Sequence, residues 1–345
     1  MHSEHMRQKL TLMYNLLLRP KRVFNLMVKE IETLLGCDRL HYYPSALTID
    51  VGNVCNLKCP LCPTGRGDKG VERGFMPFEQ FQRILSEVGP YLTDLDLHNW
   101  GEPLLNKDLV AMVRLAKKKG ITVNISSNLM RLDEQSAEAL IAAKIEKIFI
   151  SLDAASPETY KIYRVGGDFD TVIEHIRLLL AAKKKLNLYY TRLKILFHVF
   201  RHNEHEVEKI KQLSKELGVE LAINMIRPDM GKEIFDDVKQ AIERDGKWLP
   251  ENSEYCPFDM VSQEKKIVRS CRALWKTAVI NWNGNVFPCC SVFGDQYQFG
   301  NVFTESFRTI WNNEHYIAAR KEVKGRIENS STICHICRRT GYLHF

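Results

Sequence analysis

Thr48-Ile49-Asp50-Val51-Gly52-Asn53-Val54-Cys55-Asn56-Leu57-Lys58-Cys59-Pro60-Leu61-Cys62 is the stretch around which the rest of the chain is organised. It opens as an apolar, strand-like run and closes on three cysteines in a C-x3-C-x2-C loop. A loop of this kind lets three thiolates close on three corners of a 4Fe-4S cube while no protein ligand reaches the fourth iron. That iron is then free to bind a substrate or a cofactor. The plain alternatives are a zinc knuckle or three reduced core cysteines. Short-spaced cysteines in a reducing compartment favour metal sites over disulfides.

Downstream, short β-branched runs alternate with helical stretches, the pattern of βα units on a parallel sheet. The strand candidates are 46–52, 93–98, 121–125, 146–151, 193–200 and 219–225, with helices near 78–89, 106–119, 133–143, 170–185 and 204–217. Six such units are too few for a closed eight-stranded barrel. In parallel sheets the chemistry sits on loops at the carboxyl ends of the strands, where the candidate motifs fall.

The cysteine triad, at this spacing after the first strand, resembles the signature of the radical S-adenosylmethionine (radical SAM) superfamily. The resemblance implies an α/β fold: a partial (β/α)6 radical SAM barrel with an N-terminal helical extension and a small C-terminal iron-sulfur domain. It also implies that the open iron chelates the amino and carboxylate groups of S-adenosylmethionine (AdoMet). One electron then cleaves AdoMet to methionine and a 5'-deoxyadenosyl radical, which abstracts hydrogen. Leu61 stands where the family usually has an aromatic residue.

Further segments carry the resemblance. Asn99-Trp100-Gly101-Glu102-Pro103-Leu104 is similar to the family's Gly-Gly-Glu-Pro motif, with Trp100 in place of the first glycine. Glu102 is thereby expected to accept a charge-strengthened hydrogen bond from the AdoMet ammonium. Ser127 and Asn128 fall beside its methionyl part, and Ser151 and Asp153 near its ribose or methionyl end. The Arg164 guanidinium suits its carboxylate. Without the resemblance, these serines and aspartates would read as helix caps and turns. His198, His202 and His205 lack a partner at ligand spacing and are not read as a metal site.

Six more cysteines lie beyond residue 228. Cys271 is followed by twelve residues, Gly284, four residues and Cys289, then a 44-residue interval and Cys334-x2-Cys337. Four thiolates make a complete 4Fe-4S ligand set, and a four-cysteine zinc site is the alternative. Asn283-Gly284 between apolar pairs has hairpin turn chemistry that would bring Cys271 and Cys289 together. The segment resembles the twitch domain, the shortened form of SPASM, with spacings similar to those of an aminocyclitol dehydrogenase of butirosin biosynthesis. Expected domains are a basic amphipathic helical extension at 1–45, the barrel at 46–227, a linker at 228–255 and the auxiliary-cluster domain at 256–345. Cys256 is a weaker candidate for the active site.

The chain has 345 residues and 45% hydrophobic content, enough for a sizeable core. No apolar run approaches the ~18 residues of a membrane span. Ten cysteines without a signal-peptide pattern point to a reducing, cytoplasmic setting. Residues 6–29 hold Arg7, Lys9, Arg19, Lys21, Arg22 and Lys29 with no acid. Interleaved with apolar residues, they suit two amphipathic helices broken near Pro20. These would dock on the barrel with a solvated basic face, or make peripheral contact with anionic lipid. No nucleic-acid-binding module is evident.

Together these features predict an enzyme with two 4Fe-4S clusters and AdoMet, one cluster on Cys55, Cys59 and Cys62 and the other on Cys271, Cys289, Cys334 and Cys337. A fully ligated auxiliary cluster suits electron transfer, hence oxidation of a small polar, sugar- or cyclitol-like substrate. Peptide, lipid and glycan substrates are the alternatives, and a non-catalytic iron-sulfur or zinc protein is the rival class. The resemblance further implies an electron donor such as flavodoxin or ferredoxin.

Overall fold

Where apolar residues alternate along a strand, it buries one face and lines a concavity with the other, as the first five of six strands do here. A computed structural model describes residues 19–226, 238–265, 271–328 and 330–339. Its barrel strands are β1 (Ala46–Ile49), β2 (Asp94–Asp96), β3 (Thr122–Ser127), β4 (Lys147–Ser151), β5 (Arg192–Val199) and β6 (Glu220–Met225). All pair in parallel in chain order, within one open nine-stranded sheet. Leu47, Val123, Ile125, Ile148, Ile150, Ile195 and Phe197 are buried in the core. The opposite face carries Asp96, His98, Asn124, Ser126, Ser151 and His198, each half-buried. The concavity is therefore polar.

The expected crossover helices are present near their predicted positions, including Leu109–Lys118 and Phe169–Lys185. The longer one starts at Asp168, whose carboxylate accepts from Thr171 N at 2.9 Å, and ends on Lys183 to Lys185, placing cations at the negative end of the dipole. The sequence pattern gives no warning of the short helix α1 (Pro157–Tyr163), which is too brief to show periodicity. It matters because Arg164 is its C-cap.

The C-terminal region is continuous with the barrel. Strand β7 (Thr277–Ile280) pairs in parallel with β1, Ala46 opposite Thr277 and Ile49 opposite Ile280. The hairpin returns as β8 (Asn285–Phe287), and β9 (Gly300–Asn301) adds an edge. At its turn Gly284 has φ +86°, a conformation open to glycine without strain. One hydrophobic core runs from Leu47 through Val279 and Phe287 to Trp311 and Tyr316. Its far end is pinned by Arg320, 0% exposed, which donates to the carbonyls of Leu274, Trp311 and Asp38.

Two expectations change. Part of the 228–255 stretch is helical, Val238–Asp245, and Ala241, Leu249, Cys256 and Phe258 pack with Leu61 and Phe200 in a second apolar cluster. Residues 227–237 lie outside the described residues, as do residues 1–18 with the first expected amphipathic helix. The second, Pro20–Leu34 (α2 here, although it precedes α1 in the chain), begins with Pro20 in the first turn, as fixed proline φ favours. It docks by its polar side, burying Arg22, Asn25 and Glu32, and not with a basic face outward.

Candidate active site

The loop leaving β1 is clamped before it reaches its cysteines. Asn53 donates to Glu72 O at 2.6 Å and accepts from Gly74 N at 3.0 Å, while Arg73 donates to Asn53 O at 2.9 Å. On its other side Lys58 N donates to Val165 O at 2.9 Å, tying the triad to the loop that carries Arg164. N–H groups are aimed at the sulfurs. Cys55 Sγ accepts from Leu57 N at 3.4 Å and Asn128 Nδ2 at 3.7 Å, and Cys59 Sγ faces Arg164 Nη1 at 3.8 Å. Burial pushes the Cys55 thiol up to about 11 and raises Cys59 as well. Thiols so placed are stable as thiols until a metal takes the proton's place. All three remain free of disulfides, and each lies in the field of the others.

Glu102 is buried, and Ser127 Oγ, Leu104 N and Asn128 N donate to it at 2.7, 3.0 and 2.8 Å. Two of these bonds go to Oε1 and one to Oε2. An ionised carboxylate has about four acceptor positions, so one on Oε2 remains for an incoming cationic donor. Burial raises its pKa, and the three donors oppose the shift. Ser127 and Asn128 thus support Glu102 and the Cys55 loop. Ser151 Oγ lies 3.4 Å from Ser126 Oγ.

Asp153 and Arg164, expected as separate contacts, are brought together as an ion pair. Asp153 sits at φ +54° and accepts from His198 N at 2.7 Å and His198 Nδ1 at 2.9 Å on its other oxygen. Burial opposes ionisation, but the Arg164 and His198 charges outweigh it and hold Asp153 far below the usual carboxylate range. Both oxygens are committed to protein. Arg164 in turn bridges Asp153 and Cys59. Cys256, 2% exposed, is enclosed in the apolar cluster around Leu61.

Sequence reading missed two residues here. Asp50 follows β1 on the concave side, as its parity with Thr48 indicates. It is 0% exposed, its Oδ2 accepts from Trp100 N at 3.1 Å, and its Oδ1 has no partner. Asn281 follows the paired β7 and also leaves a buried oxygen unpartnered. Trp100, the departure from the glycine motif, donates from Nε1 to Val292 O at 3.0 Å and meets Phe293 edge-on at 5.3 Å. It therefore joins the Glu102 loop to the loop after Cys289.

Burial raises Asp50 from 3.8 to about 7. The folded chain holds this proton over a window in which the unfolded chain has released it, so stability falls as pH rises from about 4 to about 7. Asp50→Asn abolishes that dependence. We expect the variant to gain on the wild type progressively up to pH 7, by no more than about 1.4 kcal/mol per pH unit. Thermal midpoints at pH 5.5 and 8 check this; an equal fall in both proteins would contradict it.

The second set gathers as the hairpin requires. Cys334 lies in the field of Cys289, Cys337 and Cys271, and burial, the larger cause, pushes it and Cys289 well above the ordinary thiol range. Sets of three and four cysteines free of disulfides have the all-thiol donor chemistry of 4Fe-4S ligation. Both cysteine sets fit iron-sulfur clusters.

Comparison with known proteins agrees. Residues 49–214 match the Radical SAM superfamily, and residues 271–338 match the SPASM iron-sulfur cluster-binding domain. A tungsten-containing aldehyde ferredoxin oxidoreductase cofactor-modifying protein of Pyrococcus furiosus is 25% identical over 84% of this chain and 86% of its own. The mycofactocin maturase MftC of Mycobacterium tuberculosis is 24% identical over 81% and 73%. The S-adenosylmethionine-bound structure of Streptococcus suis SuiB shares the fold, with a TM-score of 0.62 at 15% identity over 89% of this chain and 74% of that one.

Proposed function

Because the chain belongs to the radical SAM superfamily and carries a SPASM iron-sulfur domain, we propose that it oxidises a small polar substrate, with the C-terminal cluster as electron acceptor. The family implies a 4Fe-4S cluster with AdoMet and a further iron-sulfur site, which when bound supply one-electron cleavage of AdoMet, a hydrogen-abstracting radical and an electron sink. Cys55, Cys59 and Cys62 hold the first cluster. Cys271, Cys289, Cys334 and Cys337 hold the second.

The remaining acceptor position on Glu102 receives the AdoMet ammonium, and Ser127 and Asn128 fix that carboxylate. Ser151 would lie near the ribose or methionyl end of AdoMet. Arg164, neutralised in part by Asp153, keeps positive charge against the Cys59 sulfur and the AdoMet carboxylate. The observation that carries the oxidative reading is that buried Cys334 lies in the field of Cys271, Cys289 and Cys337, a four-thiol set that would leave no open iron for substrate. A polar concavity built from Asp96, His98, Asn124, Ser126 and His198 supports a small polar substrate. A peptide is the second reading, favoured by the fold shared with Streptococcus suis SuiB, a structure of which is bound to precursor peptide SuiA.

The test is anaerobic turnover with AdoMet and dithionite on separated small-molecule and peptide fractions of a cell extract, read by mass spectrometry. The expected product is a small molecule lighter by two hydrogens, one lost as an atom and one as a proton with the second electron leaving to the cluster. Formation of a cross-linked peptide instead would sink the small-molecule reading. Cys289→Ala and Cys334→Ala are each expected to lose about four irons. They should also raise the ratio of deoxyadenosine to product more than about tenfold, because oxidation then lacks its electron acceptor. An unchanged ratio would remove the cluster from the reaction.

A further inference from the structure

Helix α2 is inverted relative to an ordinary docked helix. Its buried side is polar. Arg22 donates to Gly120 O at 2.8 Å and to Gly89 O and Lys119 O at 3.3 Å. Asn25 exchanges two 2.8 Å bonds with the Tyr43 backbone, and Glu32 accepts from His41 N at 2.8 Å. These bonds fix its roll. Outward it presents Phe24, Met27, Ile31, Leu34 and Leu35, between 55% and 86% exposed. Their spacing puts them on one stripe.

We propose that this stripe docks the protein on an anionic lipid surface. Charge complementarity selects that occupant. Residues 6–29 carry no acid; of their six cations Arg22 is spent on the docking face, and the other five include Lys21, exposed beside Phe24. The exposed Glu30 is the one acid among the exposed residues of the helix. A helix lying in the interface sinks its apolar side chains roughly 5–10 Å, while basic residues meet the headgroups. No helix among the described residues is long and apolar enough to cross a membrane, so contact is peripheral. The partners of Arg22 lie just before β2 and β3, at the amino ends of the strands. The protein would therefore sit with its cysteine loops facing away from the bilayer, and substrate would arrive from the aqueous side.

Flotation of the full reconstituted chain with vesicles tests this. Binding is expected to phosphatidylcholine vesicles containing phosphatidylglycerol, at least about tenfold above phosphatidylcholine alone, and to weaken with salt. The double variant Met27→Asp/Leu34→Asp should lose at least about tenfold in binding, with iron content and circular dichroism unchanged. Three outcomes would overturn the proposal. These are absence of binding to anionic vesicles, equal binding by the double variant, and a concentration-dependent dimer that the double variant abolishes, which would assign the stripe to a second copy.

Discussion

Replacing Cys55, Cys59 and Cys62 together by alanine is expected to remove about four of about eight irons and to reduce 5'-deoxyadenosine formation to background. The reason is the electrostatics of the loop. The Cys55 and Cys59 sulfurs sit where burial disfavours a bare thiolate, and N–H groups of Leu57, Asn128 and Arg164 surround them. The pocket thus favours sulfur whose charge is shared with metal. The loop itself does not depend on the thiols for its shape, since Asn53, Arg73 and Lys58 hold it through backbone contacts. The variant should therefore stay folded and keep its C-terminal irons. Iron analysis and chromatographic assay of deoxyadenosine decide the matter. Cleavage that survives the triple substitution would place the chemistry elsewhere.

Glu102→Gln is expected to weaken AdoMet binding by roughly 10- to 100-fold, the loss of one charge-assisted hydrogen bond. The amide also turns an NH2 group toward one or more of Ser127 Oγ, Leu104 N and Asn128 N, all of which donate to the carboxylate. A buried donor facing donors adds a cost of about 1–3 kcal/mol to folding. The conservative change is therefore not mild. Equilibrium titration of the reconstituted variant with AdoMet measures the first effect, and thermal unfolding the second. Affinity within about threefold of wild type, with a lowered melting point, would make Glu102 a purely structural link between the second and third strand ends.

Local signals made most of the barrel legible. Alternating apolar residues place the six parallel strands close to their observed bounds, and the cysteine spacings point to the iron-sulfur chemistry that both matched families carry. What escaped was non-local. Nothing in residues 277–280 announces that they pair with residues 46–49, more than two hundred positions away, so the sequence shows a small C-terminal domain but not that its first strand extends the barrel sheet. Asp153 and Arg164 were each singled out, but their pairing depends on α1, a helix too short for periodicity to reveal. The inverted docking of α2 was hidden for another reason. Amphipathicity identifies two faces without saying which is buried, and the expectation that apolar goes inward failed where Arg22 and Asn25 found backbone partners. Trp100 was visible as a departure from a glycine motif, yet its role rests on Val292 and Phe293, far along the chain.

Two separate cysteine sets holding two iron-sulfur clusters in one AdoMet-cleaving enzyme would fix the metal content of the protein. Iron, sulfide and zinc counted on the anaerobically reconstituted full chain, alongside deoxyadenosine formed with dithionite and AdoMet, test it most directly. The expected result is about eight irons and eight sulfides per chain, negligible zinc and AdoMet-dependent deoxyadenosine. About four irons with one zinc would contradict the second cluster, and zinc without cleavage would contradict the enzyme itself.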